Sequence, residues 1–197
     1  MPRFVKTYDE YAFGLTWVLD EPMQRASHAL VVNGGLWLVD PVAVDDALER
    51  ALALAEPAGV LQLLDRHNRD CAQLAERYGV PHLKVPDGVT GFHAIQVIRI
   101  PGWKETALWW PEHRALIVAE VVGTNPMLTG GRDAGMHPLL RVKPPGGLRG
   151  YEPEHLLMGH GAPLHGPAAA EGLAEAYARS RTDIPRVLAK LPFALRG

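Results

Sequence analysis

The order of extended and helical segments constrains the fold of this chain more than any other feature. Three segments near its beginning are rich in β-forming residues: 16–19, 28–33 and 36–39. The last two are joined by Asn33-Gly34-Gly35, which is a strong hairpin turn signal. A helix follows from Asp45, where alanine and leucine alternate with charged residues at helical spacing until Pro57 and Gly59. This part of the chain is therefore predicted to form strands followed by a helix.

The rest of the chain continues the alternation. Residues 60–64 form a short apolar run, 70–78 have a helical pattern closed by Gly79, and 81–85 are extended, an order that favours parallel strands. Four further strands and one helix are predicted: 94–100, 106–110, 115–122 and 155–158, and a helix that begins at Pro167. The pattern predicts an α/β (α+β) fold, an αββα sandwich of two mixed β-sheets flanked by helices.

Between residues 123 and 152 the composition shifts to glycine, proline, arginine and lysine, without a sustained apolar period. A long irregular segment inside a compact domain usually covers a site or is mobile. We therefore expect one domain over residues 1–197, with 123–152 as a covering loop. The loop contains four basic residues, expected as a solvated surface or as a rim for an anionic ligand: Arg132, Arg141, Lys143 and Arg149.

Charge and cysteine content exclude several classes of protein. The formal net charge is −2, with 20 basic and 22 acidic residues, so neither nucleic acid nor an anionic membrane is expected as the main partner. The sequence has no apolar run of membrane-spanning length and no signal-peptide pattern at its start, which predicts a cytoplasmic protein. A single cysteine, Cys71, excludes an intrachain disulfide and a multi-thiolate zinc module. The partner, a small molecule or a protein, stays open, and so does a homodimer.

Five landmarks in order resemble the metallo-β-lactamase fold superfamily. They are ASHALVVNGGLWLVDPV from Ala26, LLDRHNRDC from Leu63, PGW from Pro101, LIVAEVVG from Leu116 and LLMGHGAPL from Leu156. In this superfamily they correspond to a hairpin with an LIDPG-like strand end, a histidine-rich loop, a PGH-like turn, a GD-like strand end and a GHG-like turn. The resemblance covers about residues 27–179 and implies a cleft that holds two metal ions.

When the ligands of the superfamily are transferred residue by residue, the first of these two ions has no histidine ligands in this chain. Its three histidine positions correspond to Arg66, Asn68 and Trp103 in this chain, none of which is an imidazole. A guanidinium where a divalent cation would lie repels the metal and supplies its charge instead. Arg66, Asn68 and Trp103 are therefore expected to bind a ligand rather than a metal.

The resemblance leaves the second ion open, because its ligand positions correspond to Asp70, Cys71, Glu120 and His160, all of which can bind zinc. Asp70 and His160 are also the catalytic candidates. The alternative is an internal network of ion pairs, with Asp70 bonded to Arg66 or His160, Glu120 to Arg66 or Arg69, and Cys71 buried at a helix start. His67 lies between the former ligand positions Arg66 and Asn68 and is expected to point away from those two positions if the loop keeps the family's alternation, as a backbone-bonded structural histidine rather than a ligand.

Two functions remain open, and so does whether the protein is an enzyme. In the first, the eroded dinuclear site leaves a binding or accessory protein, or one that acts without metal on a small anionic molecule held by Arg66; no cofactor is then needed. In the second, a single zinc ion on Asp70, Cys71, Glu120 and His160 hydrolyses an ester, thioester or lactone. A thiol nucleophile, with Cys71 activated by His160 or His67, is a further alternative.

Overall fold

The computed structural model describes residues 3–194, and their side chains as far as residue 189. The first half contains β1 (Val5–Tyr11), β2 (Gly14–Leu19), β3 (Ala26–Val32), β4 (Gly35–Val39), α1 (Asp45–Leu52), β5 (Pro57–Gln62), α2 (Cys71–Tyr78) and β6 (His82–Lys84). The second half contains β7 (His93–Ile100), β8 (Trp103–Trp110), β9 (Ala115–Val118), β10 (Val122–Gly123), α3 (Pro126–Thr129), β11 (Gly135–Met136), β12 (His155–Met158), β13 (Leu164–His165), α4 (Pro167–Ala178) and α5 (Ile184–Ala194).

These strands form two mixed sheets and a short two-stranded ribbon of β10 and β11. One sheet has the order β1-β2-β3-β4-β5-β6, in which β4, β5 and β6 run parallel and the other neighbours run antiparallel. The other has the order β13-β12-β9-β8-β7, in which only β9 and β12 are parallel. The two mixed sheets confirm the predicted fold class.

Apolar side chains explain how these layers pack. The larger core cluster lies between the sheets and includes Leu30 and Leu61 from one, and Leu108 and Ile117 from the other. A second cluster joins the six-stranded sheet to α1 and α2 through Leu48, Leu74 and other buried residues. The helix α4 packs on β12 and β13. Among the described residues, no helix is long and apolar enough to cross a membrane.

Local sequence accounts for the helix ends. The helix α1 has Asp45 and Asp46 in its first turn, where carboxylates interact favourably with the helix dipole. It buries Ala47, Leu48 and Ala51. It ends at Leu52, before the predicted stop at Pro57, which is instead the first residue of β5. The helix α2 ends as predicted at Gly79, which adopts a left-handed conformation with φ of 66°.

Segment 123–152 contains short ordered elements rather than one irregular loop. It includes α3, β11 and a turn of 3₁₀ helix at Pro138–Leu140. Arg132 forms ion pairs with Asp183 and Glu175, and the buried Arg141 donates to the carbonyl oxygens of Leu128 and Ser180. These two arginines therefore anchor the segment to the α4–α5 region, in place of the solvated role that was expected for them.

Candidate metal centre

Three side chains from three different loops meet between the two sheets. His67 lies in the loop after β5, Glu120 follows β9, and His160 follows β12. One potential ligand atom from each lies within 4.8 Å of the others. Among the residues that the structure describes, this is the one such group of three or more histidine, cysteine or acidic side chains. We call these three residues the His₂Glu cluster.

Hydrogen bonds fix both imidazole rings of the His₂Glu cluster. Nδ1 of His160 lies 3.0 Å from the carbonyl oxygen of Met23, and Nδ1 of His67 lies 3.2 Å from Oδ2 of Asp40. A carbonyl oxygen and an ionised carboxylate can only accept a hydrogen bond, so each Nδ1 is assigned the proton. In the neutral rings, both Nε2 atoms are then left with a lone pair.

These two lone pairs face each other, because the Nε2 atoms are 3.4 Å apart. A shared proton could satisfy both, but the pKa of His160 is lowered to about 4, first by burial and then by the charge of Arg69. A zinc ion bonded to both nitrogens in tetrahedral geometry would hold them about 3.3 Å apart. The spacing of the two histidine nitrogens therefore suits one metal ion, and Glu120 brings a carboxylate oxygen within 4.8 Å of both.

Asp40 positions His67 from the end of β4. Its carboxylate is buried; Oδ1 accepts the backbone N–H of Leu63 and Oδ2 accepts Nδ1 of His67. Burial acts to raise its pKa, but the hydrogen bonds from His67 and Leu63 and the charge of Arg69 outweigh burial, so the pKa of Asp40 lies below its ordinary value. An acceptor of this kind fixes the tautomer and orientation of a metal-binding histidine. The strand-end signal VDP contained this residue, but the sequence analysis assigned it no role.

Glu105 holds the turn that carries Glu120. It lies in the middle of β8, is fully buried, and its Oε1 accepts the backbone N–H groups of Ala119, Glu120 and Val121 at 3.0, 3.1 and 3.3 Å. Burial raises the pKa of Glu105 to about 7. This residue was not predicted from the sequence. Its signal was a single acidic residue inside the apolar strand WKETALWW.

Arg66 forms an ion pair with Glu120, which is one of the predicted pairings. Its guanidinium also lies over the ring of Trp103, 4.2 Å from the centroid. His137, from the covering segment, contacts the edge of Trp103 and lies 3.9 Å from Oε1 of Glu120. Burial acts to raise the pKa of Glu120, but the hydrogen bond and charge of Arg66 lower it below its ordinary value. Glu120 is therefore held as a carboxylate.

Arg69 is a second guanidinium beside the His₂Glu cluster. It donates to the carbonyl oxygens of Ala26, Asp40 and Gly159 and so joins the ends of β3, β4 and β12. Burial lowers the pKa of Arg69 from its ordinary value. Arg69 therefore has a structural role, since it holds these strand ends together, and it also places a positive charge near His160.

The structure does not bring the four predicted zinc ligands together. Asp70 lies before α2, where its carboxylate accepts bonds from Arg3 and from the backbone N–H of Ala43. Cys71 is the buried first residue of α2, and its thiol donates to the carbonyl oxygen of His67 at 3.9 Å. Burial raises the pKa of the Cys71 thiol well above its ordinary value, which also disfavours its use as a nucleophile. Thus Glu120 and His160 meet, while Asp70 and Cys71 lie elsewhere.

His67 lies beside Glu120 and His160, and its ring bonds to the carboxylate of Asp40 rather than to a backbone group, as had been expected. In this loop the N–H of His67 closes a turn onto the carbonyl oxygen of Leu64, and Arg69 takes a positive φ of 35°. This turn brings His67 to the other two ligands. The predicted bond from Asp70 to Arg66 or His160 is also wrong, since the carboxylate of Asp70 is bonded to Arg3 and to the backbone N–H of Ala43.

A cleft of about 370 Å³ opens onto the His₂Glu cluster. Besides the cluster it is lined by Met23, Arg25, Arg66, Asn68 and Arg69. Of the predicted ligand-binding residues, Arg66 and Asn68 line this cleft, whereas Trp103 is buried behind Arg66. A smaller cavity of about 100 Å³ lies between the cluster and the covering segment, against His137 and Pro138.

Solved structures with the same architecture include several metallo-β-lactamases. One from Erythrobacter litoralis is similar with a TM-score of 0.58 and 9% identity, over 91% of this chain and 96% of that one. The DIM-1 metallo-β-lactamase has a TM-score of 0.53 and 11% identity, over 92% of this chain and 98% of that one. No family model matches the sequence, and no curated protein matches it. The chain therefore has the metallo-β-lactamase fold, as its sequence landmarks predicted.

Proposed function

We propose that the protein is a hydrolase that uses one zinc ion held by the His₂Glu cluster. The observation that carries this proposal is the pair of Nε2 atoms 3.4 Å apart, each on a ring whose Nδ1 is bonded to an acceptor. Two histidines and one glutamate also form the ligand set of well-known catalytic zinc sites, in which the fourth position stays open to water or substrate. This single-ion site differs from the one expected from the sequence, since His67 replaces Asp70 and Cys71.

A zinc ion there would act as a Lewis acid and would activate water near neutral pH. The residues of the chain supply orientation and access. Asp40 and the Met23 carbonyl hold the two rings, Glu105 holds the turn of Glu120, and the cleft of about 370 Å³ gives an acyl substrate a path to the cluster. An ester, thioester or lactone is the substrate class that we propose.

The test is hydrolysis by zinc-loaded protein of an ester, a thioester and a lactone, compared with His67→Gln and His160→Gln. We expect turnover of at least one substrate that disappears in both variants. The matched control is His93→Gln, because His93 is exposed at the start of β7 and lines neither cavity. Turnover that survives in His67→Gln and His160→Gln, or no turnover by zinc-loaded wild type, would contradict the proposal.

A second function is favoured by one specific observation. Three guanidinium groups, from Arg25, Arg66 and Arg69, line the same cleft, and Arg66 makes only one bond to Glu120, so a metal-free protein could bind a small anion at Arg66. In that case metal-free protein should gain thermal stability from some members of a panel of small organic acids. A panel without any shift would remove this second function.

A further inference from the structure

The carboxylate of Glu120 belongs to the His₂Glu cluster and is also paired with Arg66. We propose that Arg66 binds a carboxylate group of the substrate in exchange for Glu120, so that the anion and the zinc ion bind cooperatively. This inference rests on the proposed single-zinc function and specifies its substrate as an acyl compound that carries a carboxylate.

The geometry of Arg66 suits an incoming carboxylate. Its side chain is 41% exposed, whereas the side chain of its partner Glu120 is 13% exposed. Trp103 supports the guanidinium plane from one side, and the bond to Glu120 uses Nη2. A planar fork with several N–H donors binds a carboxylate through two parallel bonds, which one bond to Glu120 does not provide. Arg66 therefore has donors available at the mouth of the cleft.

The other two guanidinium groups of the cleft are already engaged. Arg25 donates to both carboxylate oxygens of Glu21, at 2.5 and 2.8 Å. Arg69 is turned inward onto three backbone carbonyl oxygens. The single exposed guanidinium group, that of Arg66 on Trp103, suits one carboxylate group better than a polyanion, whose charge would need several free cations.

Competition for Glu120 couples the two binding events. An ion pair with Arg66 partly neutralises the carboxylate of Glu120 and so weakens its attraction for a metal ion. A bound metal ion in turn weakens the attraction of Glu120 for Arg66. A substrate carboxylate gives Arg66 another anion and leaves the charge of Glu120 to the zinc ion. By linkage, the anion then tightens zinc binding by the same factor by which zinc tightens anion binding.

The test measures zinc affinity by titration calorimetry at constant ionic strength, with acetate as the anionic probe and acetamide as its neutral counterpart. For wild type we expect acetate to lower the dissociation constant of zinc about fivefold or more, and acetamide to leave it unchanged. Arg66→Gln should bind zinc more tightly than wild type without acetate, and acetate should no longer have an effect.

Arg50→Gln is the matched control. Arg50 also pairs with carboxylates, Glu10 and Asp46, and also lies over an aromatic ring, that of Tyr8, but it does not line the cleft. It should behave as wild type. An unchanged zinc affinity of wild type in acetate, or weaker zinc binding by Arg66→Gln, would overturn the exchange and leave the zinc site standing. Absence of zinc binding by wild type would overturn the proposed function itself, and the exchange with it.

Discussion

Each ligand of the His₂Glu cluster depends on a second group that fixes its orientation. His67 depends on Asp40, His160 on the carbonyl oxygen of Met23, and the turn of Glu120 on Glu105. Asp40 and Glu105 are both almost fully buried. The affinity of the site for a metal should therefore respond to residues that do not touch the ion.

Asp40→Asn tests this dependence. An amide in place of the carboxylate weakens the bond to Nδ1 of His67 and allows the other tautomer of the ring. Zinc affinity, measured by competition with a chelator, should fall about 10- to 100-fold. Asp87→Asn, at an exposed position paired with Arg99, should leave it unchanged. Equal zinc affinity of Asp40→Asn and wild type would show that Asp40 does not position the ligand.

Glu105→Gln tests the buried carboxylate through pH dependence. Burial raises the pKa of Glu105 from its ordinary value of 4.5 to about 7. Between pH 4.5 and pH 7 this glutamate is already deprotonated in the unfolded chain but still protonated in the folded protein. The free energy of unfolding of the wild type therefore falls as the pH rises through this range, by about 3 kcal/mol relative to its value below pH 4.5. The variant lacks this group.

The stability of Glu105→Gln relative to wild type should therefore rise by about this amount from acid to alkaline pH, as measured by urea unfolding at several pH values. The buried histidines titrate in both proteins, so the difference between them isolates Glu105. A difference that is independent of pH would contradict the raised pKa.

Sequence alone identified part of the site at the level of residues. Glu120 and His160 lie in strand-end motifs whose position the fold dictates, and Arg66 could be predicted to pair with Glu120. His67 could not be assigned, because its direction depends on the turn onto Leu64 and on the positive φ of Arg69, neither of which has a sequence signal. Glu105 and Asp40 act through burial and hydrogen bonds that become visible only when the two sheets meet.

The turn after β12 must pass close to the end of β9 to place His160. A Cβ atom on Gly159 would lie 2.3 Å from the carbonyl oxygen of Ala119, which belongs to the turn of Glu120. A glycine at this position therefore allows the two turns, each with one ligand, to approach each other.

Gly159→Ala should lower the free energy of unfolding by about 1 to 3 kcal/mol, because backbone must shift to relieve the contact. It should also weaken zinc binding, since the turns of Glu120 and His160 are pushed apart. Gly146→Ala, where a Cβ meets nothing within 4 Å, is the control. Chemical denaturation checks the stability, and a variant as stable as the control would contradict the close approach.

The covering segment 123–152 is held by the ion-paired Arg132 and the buried Arg141, together with apolar side chains such as Met136 and Leu148 that are buried in the larger core cluster. Arg132 bonds both oxygens of Asp183, at 2.6 and 3.1 Å. We expect Arg132→Gln to speed amide hydrogen exchange in this segment, measured by mass spectrometry. Lys143→Gln, an exposed position in the same segment, should leave exchange unchanged. Equal exchange rates in both variants would show that Arg132 does not anchor the segment.

Sequence patterns predicted the amphipathic elements and missed those without an apolar face. The strand β1 (VKTYDEY) lies at a sheet edge and has no buried residue, so it lacks the alternation by which strands are identified. The helix α5 contains Pro185, and the short elements of segment 123–152 are hidden by glycine and proline. These parts are ordered by contacts with distant residues, which local patterns do not contain.

For the molecule as a whole, the two-sheet sandwich brings several strand ends to one edge, and the loops after β4, β5, β9 and β12 meet there. The metallo-β-lactamases with this architecture are only 11% and 9% identical in sequence to this chain. A shared architecture does not assign the function, which must be argued from the side chains at this edge. In this chain they are the His₂Glu cluster, which we propose as the ligand set of one ion, and the guanidinium groups around it.

The most direct test is the zinc content of the protein after reconstitution and exhaustive dialysis, measured by elemental analysis for wild type, His67→Gln and Cys71→Ser. The account predicts one zinc ion per chain in wild type and in Cys71→Ser, because Cys71 lies outside the His₂Glu cluster. It predicts loss of zinc in His67→Gln. A wild type without zinc, or zinc that is kept in His67→Gln and lost in Cys71→Ser, would contradict it.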